Sequence, residues 1–388
     1  FITSDTSRKF IPLSEPVMGG NEWKYIKECL DTGWVSSVGS FVDRFEEAVA
    51  HYMEVPYAVA VVNGTSALHL ALLVAGVQKN DEVLVPTLTF IAPVNAVSYI
   101  GAIPVFFDCE PNTLCLNVED VKMFFEEECE QRADHQTYNK KTGRRVVAVI
   151  PVHIFGHPTD MYPLHALCVK MNVKLIEDAT ESMGSLYHGR KAGALGDIAC
   201  LSFNGNKIIT TGGGGMVVTQ NKQWADRARH LSTQAKADPF TYHHDEIGYN
   251  YRLTNIQAAM GVAQMEMLDT YMASRRAIAS KYMEYFRNMS QVKFLEASPQ
   301  VKSNCWLSTI QVEEEHHTSL LKWLNENQIH ARPVWKLIHT LPMYKHCQSY
   351  QIEHALKAGM ISINIPSSTS LSDEDIARVV STIQNYYA

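Results

Sequence analysis

From Pro56 to Gln220 the chain alternates short, almost wholly apolar runs with longer stretches of helical periodicity. The apolar runs are Tyr57 to Val62, Glu82 to Val85, Ile103 to Phe107, Val146 to Val152, Val173 to Asp178 and Ile198 to Phe203. Strands that are apolar at nearly every position are buried on both faces, and strands separated by helical crossovers pair in parallel. The pattern therefore predicts an α/β fold: a mostly parallel central sheet with helices on both faces. Gln131 to Arg145 breaks the alternation with a polar run containing Asn139 and Gly143, and reads as a surface insertion. Beyond about Tyr271 the pattern changes to a helix, a strand near Trp306 to Val312, a helix through Leu320 to Asn325, a strand at Ile361 to Ile365 and a last helix from Ser372. This predicts two units: residues 1–270, an N-terminal segment and large α/β domain, and residues 271–388, a small C-terminal α+β domain.

Composition narrows the class of function. The 388 residues are 46% apolar and 19% charged, enough for a sizeable core. A net charge of -7 without any basic stripe argues against a nucleic-acid partner, whose phosphates are met by clustered Lys and Arg. The eight cysteines are scattered, with no CxxC pair, and read as small buried hydrophobes in a reducing compartment. The opening FITSDTSRKF lacks the features of a secretion signal, and no run is apolar for long enough to cross a bilayer, so a cytoplasmic protein without a membrane partner is expected.

Three stretches carry candidate chemistry. In VVNGTSALHLAL, Val61 to Leu72, an apolar run passes through Gly64, Thr65 and Ser66 directly into a helix, and the free amides and dipole of a helix start suit a phosphate. Thr65 or Ser66 as a plain N-cap fits the same residues. In LIEDATES, Asp178 ends a strand in the middle of the predicted sheet, where open α/β sheets bind ligands. A carboxylate there can hold a pyridine nitrogen protonated, or can simply cap the following turn. In LSFNGNKIITTGGGG, Lys207 follows a strand that ends at Ser202 and precedes four glycines, flanked by Ile208 and Ile209. Partial desolvation favours the uncharged amine that Schiff-base chemistry requires, and glycines permit tight backbone geometry beside a ligand. The glycine run matches neither GxGxxG nor GxxxxGK[ST]. The Glu313 to His317 run, EEEHH, reads as a solvated loop before a helix, and no metal site is expected.

The motifs NGTSAL, TLTFIA, PVHIFG, EDATES, LSFNGNK, TTGGGG and GYNYRLTNIQAA, in this order, resemble the nucleotide-sugar aminotransferases of the DegT/DnrJ/StrS type, in wording nearest the LegC-like branch. The resemblance runs from about Ile11 to the last helix. It implies a fold-type I enzyme using pyridoxal 5'-phosphate, with Lys207 as its covalent anchor and Asp178 on the ring nitrogen. It also implies phosphate contacts from Gly64, Thr65, Ser66 and Ser202, Phe90 stacked on the ring, and Glu181 near the ring hydroxyl. As a lone residue Phe90 reads as a core aromatic. Asn250 matches a position that in relatives reaches the phosphate of the neighbouring subunit, so a homodimer with shared active sites is implied; a turn is the alternative. Asn204 stands where several relatives have His, and Arg332 and His339 fall where relatives approach the sugar nucleotide, although surface placement explains both. His153 either lines the site or is a hydrogen-bonded core histidine.

The implied reaction takes an amino group from L-glutamate and delivers it to C4 of a 4-keto-6-deoxy sugar nucleotide, a UDP-linked 2-acetamido sugar by the LegC-like wording, for a surface glycan or nonulosonic acid. Lys207 moves the protons. Two alternatives share the fold, a sugar dehydratase and a non-catalytic regulator, and Lys207 favours transamination over dehydration. A nicotinamide-dependent oxidoreductase needs a glycine fingerprint that NGTSAL does not supply.

Overall fold

The computed structural model describes residues 9–238 and 240–388. Residues 1–8, most of the segment read as lacking a secretion signal, lie outside the described residues. The strands of the two principal sheets are β1 (Tyr57–Val61), β2 (Glu82–Pro86), β3 (Ile103–Phe107), β4 (Val146–Val149), β5 (Lys174–Asp178), β6 (Ile198–Ser202), β7 (Gly215–Thr219), β8 (Lys293–Phe294), β9 (Ser308–Gln311), β10 (Arg332–Pro333), β11 (Ser349–Tyr350) and β12 (Ser362–Ile365). The helices are α1 (Glu22–Thr32), α2 (Ser40–Met53), α3 (Gly64–Val74), α4 (Ala92–Tyr99), α5 (Val118–Glu127), α6 (Met161–Met171), α7 (Lys222–Ser232), α8 (Asn255–Phe286), α9 (Glu314–Glu326), α10 (His354–Ile361) and α11 (Asp373–Tyr387).

The large sheet has the order β1-β7-β6-β5-β4-β2-β3-β11, parallel throughout except for β7, which pairs antiparallel with both β1 and β6. All six strands expected from the apolar runs are present. Alternate residues of β1, β6 and β7 feed separate cores. Ala58 and Ala60 of β1 pack with Phe41, Phe45 and Val49 of α2 and with α8, whereas Val59 and Val61 pack with α3, α4 and α7. Two strands were not foreseen. Gly215 to Thr219 follows the glycines with no helical crossover before it, and Ser349–Tyr350 is too short to leave a pattern, so neither stands out from the alternation.

Two polar stretches behave differently from expectation. The insertion forms a hairpin, Cys129–Gln131 with Thr137–Asn139, that is docked and not merely superficial. Its Asn139 is buried and donates to Glu82 Oε2 at 2.8 Å and Gln348 Oε1 at 2.9 Å. Glu82 is fully buried at the start of β2, and a buried carboxyl needs such partners. The EEEHH run is no loop either: it makes the first turn of α9, where acidic side chains face the positive end of the helix dipole.

Helix α8 joins the two sheets. Its first half packs on α1 and α2, close enough that a Cβ on Gly261 would meet the Phe45 ring at 2.7 Å. Its second half sends Ile278, Tyr282 and Phe286 into the core beneath the antiparallel β8-β9-β12-β10 sheet. Position 270/271 lies inside this helix. Among the described residues no helix is long and apolar enough to cross a membrane.

Glu46 on α2 ties three elements together, accepting from the Ala60 amide of β1 at 2.8 Å, from Arg252 Nη1 at 2.9 Å and from Arg229 Nη2 at 2.6 Å. Both Glu46 and Arg252 are nearly buried, while Arg229 is largely exposed and adds little. Glu46→Ala leaves Arg252 buried without its counter-ion, so a loss on the order of 3 kcal/mol is expected, read as a lower denaturant midpoint.

Candidate active site

The parallel strands end along one edge of the sheet, and the chain places its unusual polar groups there. The turn after β1 comes first. Asn63 is the N-cap of α3, its side chain accepting the Ser66 amide at 2.8 Å, so neither Thr65 nor Ser66 is the cap. The Ser66 amide is thereby used, leaving those of Gly64 and Thr65 as helix-start amides with no carbonyl one turn back. Gly64 sits against the neighbouring strand ends: a Cβ there would meet Ser202 Cβ at 3.0 Å and Thr180 Cγ2 at 3.2 Å. The glycine run keeps this turn close. Gly215 backs onto Asn63, where a Cβ would come within 2.4 Å of the Asn63 carbonyl, so the closeness the glycines allow is between backbones.

Asp178 ends β5 and is 3% exposed. Its Oδ1 accepts from the Thr180 amide at 3.1 Å. Burial pushes its carboxyl above the ordinary range, while the Thr180 hydrogen bonds and the nearby charge of Lys207 pull the other way. A buried carboxylate with so few donors is suited to a cationic N–H from a ligand.

Lys207 lies on a loop tied off at its base, where Thr211 N donates to Phe203 O at 2.9 Å and Thr210 Oγ1 to the same carbonyl at 3.1 Å. Its amine sits 3.5 Å from Glu181 Oε1 and 4.0 Å from the centroid of the Trp306 ring. The side chain is 13% exposed, so the amine is largely withdrawn from water. Glu181 is buried, and its Oε2 accepts the Phe155 amide at 2.9 Å. Burial raises its carboxyl to about 7, against the attraction of Lys207 and the Phe155 hydrogen bond. Phe155 holds a left-handed backbone, φ 57°, uncommon for a bulky side chain, and that conformation belongs to the turn that delivers its N–H to Glu181.

An aromatic wall stands beside this group. Trp335 stacks on Phe155 at 5.2 Å between centroids and meets Phe90 edge-on at 6.3 Å. Phe90 is 53% exposed, which overturns its reading as a core residue and leaves its ring free to meet a ligand. Trp306, Trp335 and Phe155 were missed from the sequence, because a lone aromatic carries no local mark of facing a site distant along the chain.

The remaining residues divide. His339 is half-buried at the end of β2, its Nδ1 2.6 Å from Thr87 Oγ1, and burial lowers its basicity. His153 is a core histidine: it is fully buried, Nδ1 accepts from the Thr159 amide at 3.2 Å, and Nε2 bonds Glu177 Oε2 at 2.9 Å. Burial works against the Glu177 carboxylate, yet His153 and the amides of Gly193 and Gly196 hold it below the usual range. Asn204, Asn250 and Arg332 are exposed. Asn204 turns to Asn206 Oδ1 at 3.2 Å, Arg332 to His330 Nε2 at 2.9 Å, and Asn250 bridges Thr233. The single chain therefore gathers Lys207, Asp178, Glu181, Ser202 and Gly64 in one crevice and leaves these three at its surface.

Known proteins resemble the whole chain. The sequence profile described as the DegT/DnrJ/EryC1/StrS aminotransferase family matches residues 16–384. A GDP-perosamine synthase of Escherichia coli O157:H7 is 41% identical over 382 residues, covering 98% of this chain and 99% of its own. EpsN of Bacillus subtilis, named provisionally as a pyridoxal phosphate-dependent aminotransferase, is 36% identical over 387 residues, 98% of this chain and 96% of its own. Among solved structures, a DegT DnrJ EryC1 StrS aminotransferase from Brucella abortus superposes with a TM-score of 0.87 at 26% identity, covering 95% of each chain.

The raised Glu181 carboxyl has a consequence for stability. In the unfolded chain it titrates near 4.5 and in the folded chain near 7, so between those values the folded state holds more protons and stability falls as pH rises. Glu181→Gln removes that slope. Relative to the parent, the variant is expected to gain about 3 kcal/mol on going from below 4.5 to above 7, measured by denaturant unfolding at both ends.

Proposed function

The chain belongs to the DegT/DnrJ/EryC1/StrS aminotransferase family, and from that premise we propose that it transfers an amino group from L-glutamate to the C4 keto carbon of a nucleotide-linked 4-keto-6-deoxy sugar. Membership carries the coarser statement, a pyridoxal-phosphate-dependent aminotransferase of nucleotide sugars. The observation that supports the transamination reading is a partly buried lysine amine 3.5 Å from a carboxyl raised to about 7, close to a second buried carboxyl and a helix-start turn.

The residues suit the cofactor at each of its polar ends. Gly64 and Thr65 amides with the Ser202 and Ser66 hydroxyls would hold the phosphate, Asp178 the ring nitrogen and Lys207 the carbonyl carbon. Phe90 would cover the ring and Glu181 lie by its hydroxyl. When bound, pyridoxal phosphate supplies an electron sink that loosens a proton next to the nitrogen being transferred. Asp178 keeps that sink effective by holding the ring nitrogen protonated. Lys207 would move the protons, taking one from the donor's Cα in the first half of the reaction and delivering one to the sugar's C4 in the second. Glu181 stands ready to hold or release a proton beside that amine. Phe155, Met183 and Ile208 exclude water from the crevice.

His339 and Arg332 would meet the sugar nucleotide, Arg332 offering paired donors to a diphosphate, and Asn204 lies at the same mouth. Exposed Asn250 fits a contact with the phosphate in a second copy, which supports a homodimer with shared sites. For the nucleotide, the sequence wording favours UDP and a 2-acetamido sugar, whereas the relative at 41% identity is named for a GDP-linked sugar. We take the GDP-linked sugar as the first substrate.

The cofactor-loaded protein should absorb in the visible, bleach with L-glutamate and recover with a GDP-linked 4-keto-6-deoxy sugar more readily than with its UDP-linked 2-acetamido counterpart. Lys207→Ala should lose at least about a hundredfold in turnover. Full turnover in that variant would remove the assignment.

A further inference from the structure

The crevice has a wall from the far end of the chain. Trp306 precedes β9, is 3% exposed, and turns its ring face to the Lys207 amine at 4.0 Å. Its indole Nε1 donates to the Asn206 carbonyl, one residue before Lys207, at 2.7 Å. The same carbonyl accepts from Ser14 Oγ at 3.0 Å. Ser14 Oγ in turn accepts from Arg275 Nη2 at 3.2 Å, and Arg275 Nη1 donates to the Trp306 carbonyl at 2.6 Å. The four residues close a ring of hydrogen bonds, so Trp306 is fixed at both its side chain and its backbone.

A second set of bonds ties the other side of the amine to the same residue. Asn304 is fully buried; its Nδ2 donates to the carbonyls of Glu181 at 2.8 Å and Met183 at 2.9 Å, and its Oδ1 accepts the Trp306 amide at 2.9 Å. There is no slack around it, since a Cβ on Gly156 would fall 1.9 Å from Asn304 Oδ1. Asn304 therefore fixes the backbone that carries the Glu181 carboxyl relative to the backbone that carries the indole. The lysine amine lies between the two.

We propose that Trp306 is a positioning residue for Lys207: its ring face seats the detached side chain opposite Glu181, holding it most firmly as the ammonium formed when it has taken up a proton. The inference rests on the reading of Lys207 as the cofactor's anchor. A cation over an indole face is attracted by the ring quadrupole, and Trp is the strongest such partner among side chains. A mobile four-carbon stem without this seat would spend much of its time in other rotamers, and proton transfer depends on the fraction correctly oriented.

Two substitutions separate the ring from the hydrogen bond. Trp306→Phe keeps an aromatic face and loses the indole N–H, whereas Trp306→Leu loses both. In the cofactor-free protein at one neutral pH, acylation of Lys207 by acetic anhydride, read by mass spectrometry, is expected to be about 3-fold or more faster in Trp306→Leu than in the parent, with Trp306→Phe near the parent. In the loaded protein kcat should fall in Trp306→Leu by a similar or larger factor with the KM for L-glutamate little changed, and Trp306→Phe should recover most of it. Unfolding midpoints of both variants report separately on a structural role. Equal behaviour of the two variants, or unchanged Lys207 labelling in Trp306→Leu, would overturn the proposal. Full turnover by Lys207→Ala would instead remove the anchor assignment beneath it, whatever the labelling shows.

Discussion

Charge buried at the carboxyl end of a parallel sheet must find a partner, and the arrangement around Asp178 and Lys207 follows from that requirement. Two carboxyls, Asp178 and Glu181, lie within four positions of each other at the end of β5, both almost inaccessible to water. Each is raised by burial and each is relieved in part by the same lysine. Desolvating one carboxylate is costly, and two beside one cation leave a surplus of negative charge in the crevice. That surplus suits a ligand that brings a protonated ring nitrogen to Asp178, while a phosphate can lie apart at the helix-start amides of α3.

The scaffold that enforces this proximity draws on distant parts of the chain. Glycines after the Lys207 loop let β7 return against the Asn63 turn, and the antiparallel β7 brings the β1 and β6 strand ends side by side. Across the crevice the segment before β9 contributes Asn304, whose side chain donates to the Met183 carbonyl, and Trp306, whose carbonyl accepts from Arg275 of α8. Helix α8 spans both cores, so any relative movement of the sheets has to bend or pivot one continuous helix. Loss of packing in either unit is therefore transmitted to the lysine loop.

The candidate residues sit on two different kinds of surface. Groups next to Lys207 are buried and held by multiple bonds, whereas Arg332, Asn204 and Asn250 are exposed with few constraints. Exposed polar side chains change between relatives at little cost to folding, which allows one core to serve different nucleotides and sugars.

The primary structure alone determined the elements whose signal is local. Apolar runs marked six strands, the passage from strand to helix at Gly64 to Ser66 marked the turn although not its cap, Asn63, and the ordered motifs around Asp178 and Lys207 marked the candidate chemistry, because period and spacing are written in neighbouring residues. The tertiary structure decided what depends on long-range closure. The antiparallel β7, the docking of Asn139 on Glu82, the core placement of His153 and the exposure of Phe90 each turn on which surfaces meet after the sheet has formed. The seat of Lys207 between Glu181 and Trp306 is the furthest case. Its two sides come from positions 181 and 306, and no periodicity links them; only the tertiary packing of these distant segments does.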